Sequence, residues 1–393
     1  MTCVQADRPS LSQLAIVTTS RCNQRCSYCC VTGRPAATAP WPAVRRAIDL
    51  MLASPDDHVR LGFTGGEPLL AQPLLTQAVD YVERCRRPSQ TVEYRLLTNG
   101  LLLDRQTTAW LERHRFQLQI SLDGARDAQE HRSAGSFDAL EAVLRRLRRH
   151  SPAYVRSHVT LTVTLVPETV RFLSDSVSYL IGARAGTIRI NPAMDAGADP
   201  GGGFPELDEQ FGRVLAVSRR HYVRTGQVPV ECLRFMLPQL PRRRSSPWSC
   251  DAPLGRGLTL DVDGNLSTCL LATRTYVEER PLPPIIRRAA EGLRVGPPDA
   301  GLAQRISAIA HDPAVSHAFA SETPRHSAYG SCRDCWCADQ CRVCPLVTAG
   351  AYGAHHSLRV PPLVCAFNQV AARARARFPM LPPARFRRAA AGA

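Results

Sequence analysis

Lysine is absent from this chain, so the positive charge behind its formal net charge of +15 is carried by arginine alone. Such an excess is one mark of a nucleic-acid-binding surface, but a complete lack of lysine points to genome composition instead. Groups such as Arg84, Arg86 and Arg87, or Arg145, Arg146, Arg148 and Arg149, read first as solvated helix faces. A phosphate-binding surface, or attraction for an acidic peptide, is the alternative. Also missing is any apolar run of the roughly 20 residues that a membrane span requires. The N-terminus carries Asp7 and Arg8 where a secretory signal would have an apolar core. These absences exclude a spanning protein and place the chain in the cytoplasm.

Cysteine, by contrast, is abundant: there are 15 in 393 residues. In a reducing compartment spaced cysteines hold metals or do chemistry more often than they form disulfides. The chain that carries them is long enough for one large domain and a smaller one.

From Leu14 onward, short apolar runs alternate with segments of helical periodicity, the pattern of repeated βα units. Six strands are expected, at Leu14 to Thr19, Val59 to Thr64, Val92 to Thr98, Gln117 to Leu122, His158 to Val166 and Thr187 to Asn191. Helices are expected at Pro42 to Ala53, Leu74 to Arg86, Phe137 to Arg149 and Glu168 to Ile181, with a further one near Leu207 to Val223. Six units fall short of the eight of a closed barrel. The fold class is therefore α/β, a partial (β/α)6 TIM-type barrel, with its site at the C-terminal strand ends. Three regions follow: a barrel over 1–235, a small cysteine-rich domain over 236–370 organised by metal more than by an apolar core, and a basic tail over 371–393.

Directly after the first strand stands Cys22-Asn-Gln-Arg-Cys26-Ser-Tyr28-Cys29, followed by Cys30. A four-iron cluster normally takes four thiolates, so a three-cysteine loop leaves one iron open to another molecule. A zinc site is the competing reading of the thiols alone. Thr64-Gly65-Gly66-Glu67-Pro68 closes the second strand, Thr98-Asn99-Gly100 the third and Ser121-Leu122-Asp123-Gly124 the fourth. Taken singly, each is an ordinary turn former.

In this order and at these strand ends, the segments resemble the signature of the radical S-adenosylmethionine (SAM) superfamily, including the aromatic Tyr28 before the third cysteine. The resemblance implies an enzyme in which Cys22, Cys26 and Cys29 hold a [4Fe-4S] cluster, SAM chelates the open iron, and reduction yields a 5′-deoxyadenosyl radical. It implies SAM contacts from Tyr28, Gly65, Gly66, Glu67, Asn99 and Ser121. Arg132 is a candidate partner for the SAM carboxylate, with a surface arginine at a helix start as the alternative.

Cys250, Cys269, Cys332, Cys335, Cys337, Cys341, Cys344 and Cys365 form a second array. It is similar to the SPASM domain appended to many peptide-modifying members of that superfamily, which carries one or two auxiliary iron–sulfur clusters; a zinc-ribbon-like site is the alternative. Carried over by position, Cys332, Cys335, Cys341 and Cys365 would ligate a distal cluster, and Cys250, Cys269 and Cys344 a nearer one. Cys232, a group other than cysteine, or substrate would complete the nearer set. Two residues separate Cys341 from Cys344 where the family has three, and Cys337 is extra, so the assignment of thiols is open to exchange. An auxiliary cluster can accept the electron left by an oxidation, or can simply hold the domain together.

The resemblance implies a ribosomally made peptide or a protein side chain as substrate, crosslinked or otherwise modified at a C–H bond. A flavodoxin-type donor or other reductase would supply electrons. The short segment before the first strand leaves no room for a peptide-recognition domain, so a leader-binding function would belong to a separate protein. The alternative is formylglycine formation of the anaerobic sulfatase-maturase kind. There an aspartate base follows the cysteine equivalent to Cys269, where this chain has Leu270. Dehydrogenation of a small alcohol is a third possibility, and a nucleic-acid-binding protein with structural metal is the reading outside enzymes.

Overall fold

The structure is a computed structural model that describes residues 11–31, 36–193, 203–234, 248, 250–278, 282–320, 325–327, 329–338, 341, 343–348 and 358–378. The barrel elements are β1 (Gln13–Thr19), α1 (Trp41–Leu52), β2 (His58–Gly65), α2 (Gln72–Cys85), β3 (Thr91–Thr98), α3 (Arg105–Arg113) and β4 (Gln117–Ser121). They continue with α4 (Arg126–Arg132), α5 (Phe137–His150), α6 (Pro152–His158), β5 (Val159–Leu165), α7 (Leu173–Gly182), β6 (Thr187–Pro192) and α8 (Pro205–Thr225). Strands β1 to β6 lie in sequence order and pair in parallel, the partial α/β barrel that the alternating pattern predicts.

The registers show why the sheet has two unlike faces. Leu14, Leu61 and Tyr94 align, as do Ile16, Phe63 and Leu96, and Leu118, Val159, Leu161 and Ile188 carry the apolar face onward. All are buried, covered by helices whose apolar residues recur every three or four positions, such as Val44, Ala47, Ile48 and Met51 of α1. Across the opposite face Leu97, Gln119 and Thr160 align, as do Ser121, Thr162 and Arg189. Most of that row is half-buried and polar. Parallel sheets ordinarily bury both faces, so a polar, partly open face is space left for something other than core.

The region after residue 250 differs from expectation. Strands β7 (Gly257–Leu260), β8 (Leu266–Ser267) and β9 (Arg294–Gly296) extend the barrel sheet at β1, so one nine-stranded sheet crosses the boundary set at residue 236. Between and after them stand α9 (Arg274–Val277), α10 (Pro284–Gly292), α11 (Leu302–Ile309) and α12 (Pro313–Phe319). Ile286, Leu302, Ile306, Val315 and Phe319 are buried and join the main apolar core. This stretch therefore shares the main apolar core; its short helices repeat too few turns for periodicity to reveal them.

The cysteine-rich end has a small sheet and apolar cluster of its own. Strands β10 (Arg325–Ser327), β11 (Gly330–Ser331) and β12 (Leu358–Val360) form a small separate sheet beside α13 (Pro345–Thr348). Among the described residues, their apolar cluster contains Val343, Val360, Val364 and Cys365, with Cys332 and Cys341 against it. The last helix, α14 (Pro362–Ala376), runs past the tail boundary set at residue 371. Phe211 of α8 packs edge-on to Phe367 at 5.5 Å, and Tyr222 to Phe378 at 5.4 Å. Composition alone could not show that alternate residues of this arginine-rich stretch, Ala372 and Ala374, are buried.

Candidate active site

The cysteine loop leaves β1 at Thr19 and returns at Thr38, which bridges back to it. Gly66 N–H donates to the Thr19 carbonyl at 2.8 Å, and Glu67 N–H to the Arg21 carbonyl at 2.8 Å. The two glycines make this contact feasible: a Cβ at Gly65 would stand 2.3 Å from the Thr19 oxygen, and one at Gly66 would stand 2.2 Å from the Arg21 oxygen. Gly65 also has φ near +142°, a conformation open mainly to glycine. The Gly-Gly-Glu segment thus fastens the cysteine loop to the end of β2.

Glu67 belongs to the segment expected to contact SAM; its carboxylate is fully buried and accepts from Leu69 N–H (3.0 Å), Thr98 Oγ1 (2.8 Å) and Asn99 N–H (2.7 Å). Burial pushes its pKa up, and these donors oppose the shift. It ties β2 to β3. Asn99 in turn donates from Nδ2 to Asn23 Oδ1 at 2.7 Å and lies 3.8 Å from Cys22 Sγ, so it orders the cysteine loop. Ser121 ends β4 half-buried on the polar face.

Arg132 is not the surface residue that its alternative reading described. It lies at the C-terminal end of α4, not at a helix start on the surface, and is 8% exposed. Its Nη1 lies 3.3 Å from Asp123 Oδ1, and its guanidinium sits 5.6 Å from the Tyr28 ring centre. Tyr28 OH donates to Asp123 Oδ2, and Thr164 N–H donates to Oδ1 at 2.8 Å. Burial raises the Asp123 carboxyl, against the pull of Arg132. Asp123 therefore joins three elements to the cysteine loop, a role its place in Ser-Leu-Asp-Gly does not reveal.

Cys22, Cys26 and Cys29 converge on the loop. Burial raises each thiol first, and each is pushed further by a neighbour in the set: Cys26 acts on Cys22, Cys29 on Cys26, and Cys22 on Cys29. Arg132 opposes the rise at Cys26. Three neighbouring thiols that resist ionisation together, beside one buried guanidinium, are a donor set suited to a multivalent cationic centre, which replaces their protons. Sequence reasoning missed Tyr276 of α9, whose buried hydroxyl lies 3.5 Å from Thr64 Oγ1 and which is raised by burial and by the nearby Cys30 and Cys29. It also missed Arg189, which donates to Gln119 Oε1 at 2.9 Å and forms a two-point pair with Glu231 at 2.5 and 2.9 Å on the polar sheet face.

The later cysteines fall into two groups. Burial pushes Cys250 up to about 11 and Cys269 up to about 12, each raised further by Cys344. Cys341 rises to about 12 through burial and then Cys337, Cys365 and Cys332, while Cys332 feels Cys365 and Cys335. Cys232 stands apart: burial takes it to about 12, and its charged neighbours are Arg375 and Glu231, with no thiol among them. Among the described residues, no three His, Cys, Asp or Glu side chains gather closely enough to hold a single metal ion.

Residues 16–174 match the Radical SAM superfamily. A GTP 3′,8-cyclase of Chlorobaculum tepidum is 32% identical over 140 residues, 36% of this chain and 41% of that protein. A cysteine-type anaerobic sulfatase-maturating enzyme of Clostridium perfringens is 26% identical over 133 residues, 30% of this chain and 34% of that enzyme. The chain thus spans less than half the length of these curated relatives. In three dimensions it resembles anSMEcpe with bound AdoMet and the Kp18Cys peptide (TM-score 0.66, 15% identity, 93% of this chain and 97% of that one). It also resembles Streptococcus suis SuiB bound to S-adenosylmethionine (TM-score 0.54, 13% identity, 90% and 77%). Residues 16–174, with the three-thiol loop strapped to the strand ends of a partial barrel, are a radical SAM domain.

Proposed function

We propose that this enzyme modifies a side chain of a ribosomally made peptide or protein by C–H functionalisation, with an oxidative crosslink as the leading outcome. The observation that carries the reading is the loop of three thiols, Cys22, Cys26 and Cys29, fastened to the end of β2 by the Gly66 and Glu67 amides. When bound there, a [4Fe-4S] cluster and SAM would supply a 5′-deoxyadenosyl radical. The chain's own part is to hold the loop through Gly66, Asn99 and Asp123, and to present the polar sheet face that carries Gln119, Ser121 and Arg189. Gly65, Gly66, Asn99 and Ser121 remain the proposed SAM contacts; Tyr28 and Arg132 would act from behind the loop.

The region from residue 236 onward reads as an auxiliary-cluster region of SPASM type. Cys250, Cys269 and Cys344 would hold one centre, and Cys332, Cys335, Cys341 and Cys365 another. Their grouping into two sets supports this reading. A peptide substrate is in keeping with the open polar face, and the similar anSMEcpe carries a bound peptide. A flavodoxin-type donor or other reductase, a separate leader-binding protein and a cytoplasmic setting complete the proposal. Among the described residues, no helix is long and apolar enough to cross a membrane. Leu270, which has no proton to exchange, follows Cys269 and counts against formylglycine formation through a base at that position.

Incubation of the reconstituted enzyme with SAM and dithionite tests the core of the reading. Release of 5′-deoxyadenosine is expected, and its loss when Cys22, Cys26 and Cys29 are replaced together. Equal release by that variant would overturn the assignment. With a candidate peptide from a neighbouring gene, Cys335→Ala should lose product formation more than SAM cleavage; normal product would contradict the auxiliary role.

A further inference from the structure

A buried N–H without a partner costs free energy and calls for an explanation. Among the described residues, six buried side-chain nitrogen or oxygen atoms lack a hydrogen-bond partner, and two of them, Gln24 Nε2 and Arg132 Nε, belong to side chains that flank Cys26. Gln24 stands in the loop between Cys22 and Cys26 and is 9% exposed; Arg132 is 8% exposed. The backbone fixes both against the loop. The Arg132 carbonyl accepts from Ser27 N–H at 3.3 Å, and its guanidinium is held between Asp123 and the Tyr28 ring. Gln24 donates its own N–H to Cys22 Sγ at 3.4 Å and turns its side-chain oxygen toward Cys26 Sγ, 3.9 Å away. Cys29 likewise accepts from a backbone amide, that of Val31, at 3.4 Å. Cys26 faces the two side chains instead.

Sulfurs of an iron–sulfur centre offer only lone pairs, so they seek donors. Turning the Gln24 amide over about its last bond exchanges its ends and brings Nε2 to the place of Oε1, facing Cys26. We propose that Gln24 and Arg132 form a donor cradle for the Cys26 side of the first iron–sulfur centre, with Gln24 as a positioning residue that sets its potential. The proposal rests on the reading that Cys22, Cys26 and Cys29 hold that centre. Hydrogen bonds and positive charge at the sulfurs favour the reduced, more negative state, so the cradle raises the potential. Spacing shows Gln24 only as an interval between two cysteines.

The test is made at Gln24, because replacing Arg132 would also leave the buried Asp123 unpaired. The full chain is reconstituted anaerobically, iron and sulfide are counted, and the midpoint potential is followed by electron paramagnetic resonance. The signal that the natural chain shows and the Cys22, Cys26 and Cys29 triple alanine variant lacks belongs to the first centre. Gln24→Met keeps the length of the side chain without a donor. It is expected to keep the iron, shift the potential of that signal downward and leave the remaining signals in place. A potential that stays or rises would overturn the proposal. Should Gln24→Met fail to assemble, Gln24→Leu repeats the measurement; loss of the first-loop iron from both variants would make Gln24 an assembly residue and overturn the proposal as well. A natural chain with no signal that the triple variant lacks would instead overturn the underlying reading, and the proposal with it.

Discussion

Asp123 shows what single residues contribute here beyond their motif. Its carboxylate is 1% exposed and faces the equally enclosed Arg132, Tyr28 and the Thr164 amide. Removing one member of a buried ion pair leaves the other charge uncompensated, which costs about 3–5 kcal/mol. Asp123→Ala should therefore lower the unfolding free energy of the cluster-free protein, measured by denaturant titration, by that amount; a change under about 1 kcal/mol would mean that solvent already reaches Arg132. Glu231 behaves oppositely in pH. Its pair with Arg189 lowers its pKa from 4.5, so the unfolded chain takes up the proton first. The pair's stabilisation is present above that value and is lost as pH falls through the folded pKa. Glu231→Gln should flatten the acid side of the stability curve below about pH 4.5; an unchanged acid slope in thermal melts would contradict this. Spacing identified Cys22, Cys26 and Cys29, but spacing carries no information on where a carboxylate points, so the inward turn of Glu67 was not legible.

Among the elements, the cysteine loop and α14 are positioned by different means. The loop depends on backbone contacts with Gly66 and Glu67. The helix depends on side-chain packing against α8, through Phe211 on Phe367 and an ion pair of Arg373 with Asp208 at 2.5 Å. Truncating a buried aromatic costs about 3–5 kcal/mol. Phe367→Ala should accordingly loosen α14 and release C-terminal iron at lower denaturant than iron on the first loop, as followed by absorbance. Simultaneous release of both would contradict separate anchoring. The six barrel strands were legible because β-branched and leucine-rich runs of ordinary length alternate with long helices. Helices α10 to α12 were not, since seven to nine residues span barely two turns of the apolar pattern.

At the scale of the whole molecule, one sheet joins the radical SAM domain to the cysteine-rich region. Strand β7 pairs with β1, the strand that feeds the Cys22 loop, and soon afterwards the chain reaches Cys269 and Tyr276. The first thiol loop and the segment that carries Cys269 are therefore joined through one sheet, an arrangement the sequence could not disclose because pairing between distant strands leaves no local pattern. The order of the cysteines was readable and the resemblance supplied their grouping; that Arg375 and Glu231 flank Cys232 needed the fold. The thiol sets are proposed to hold iron–sulfur clusters, the first of them on Cys22, Cys26 and Cys29. Iron, sulfide and zinc per chain after anaerobic reconstitution test this most directly, comparing the natural chain with the Cys22, Cys26 and Cys29 triple alanine variant. Three clusters predict roughly twelve irons falling to about eight, with matching sulfide. Zinc in place of iron, or an iron content unchanged by the triple replacement, would contradict it.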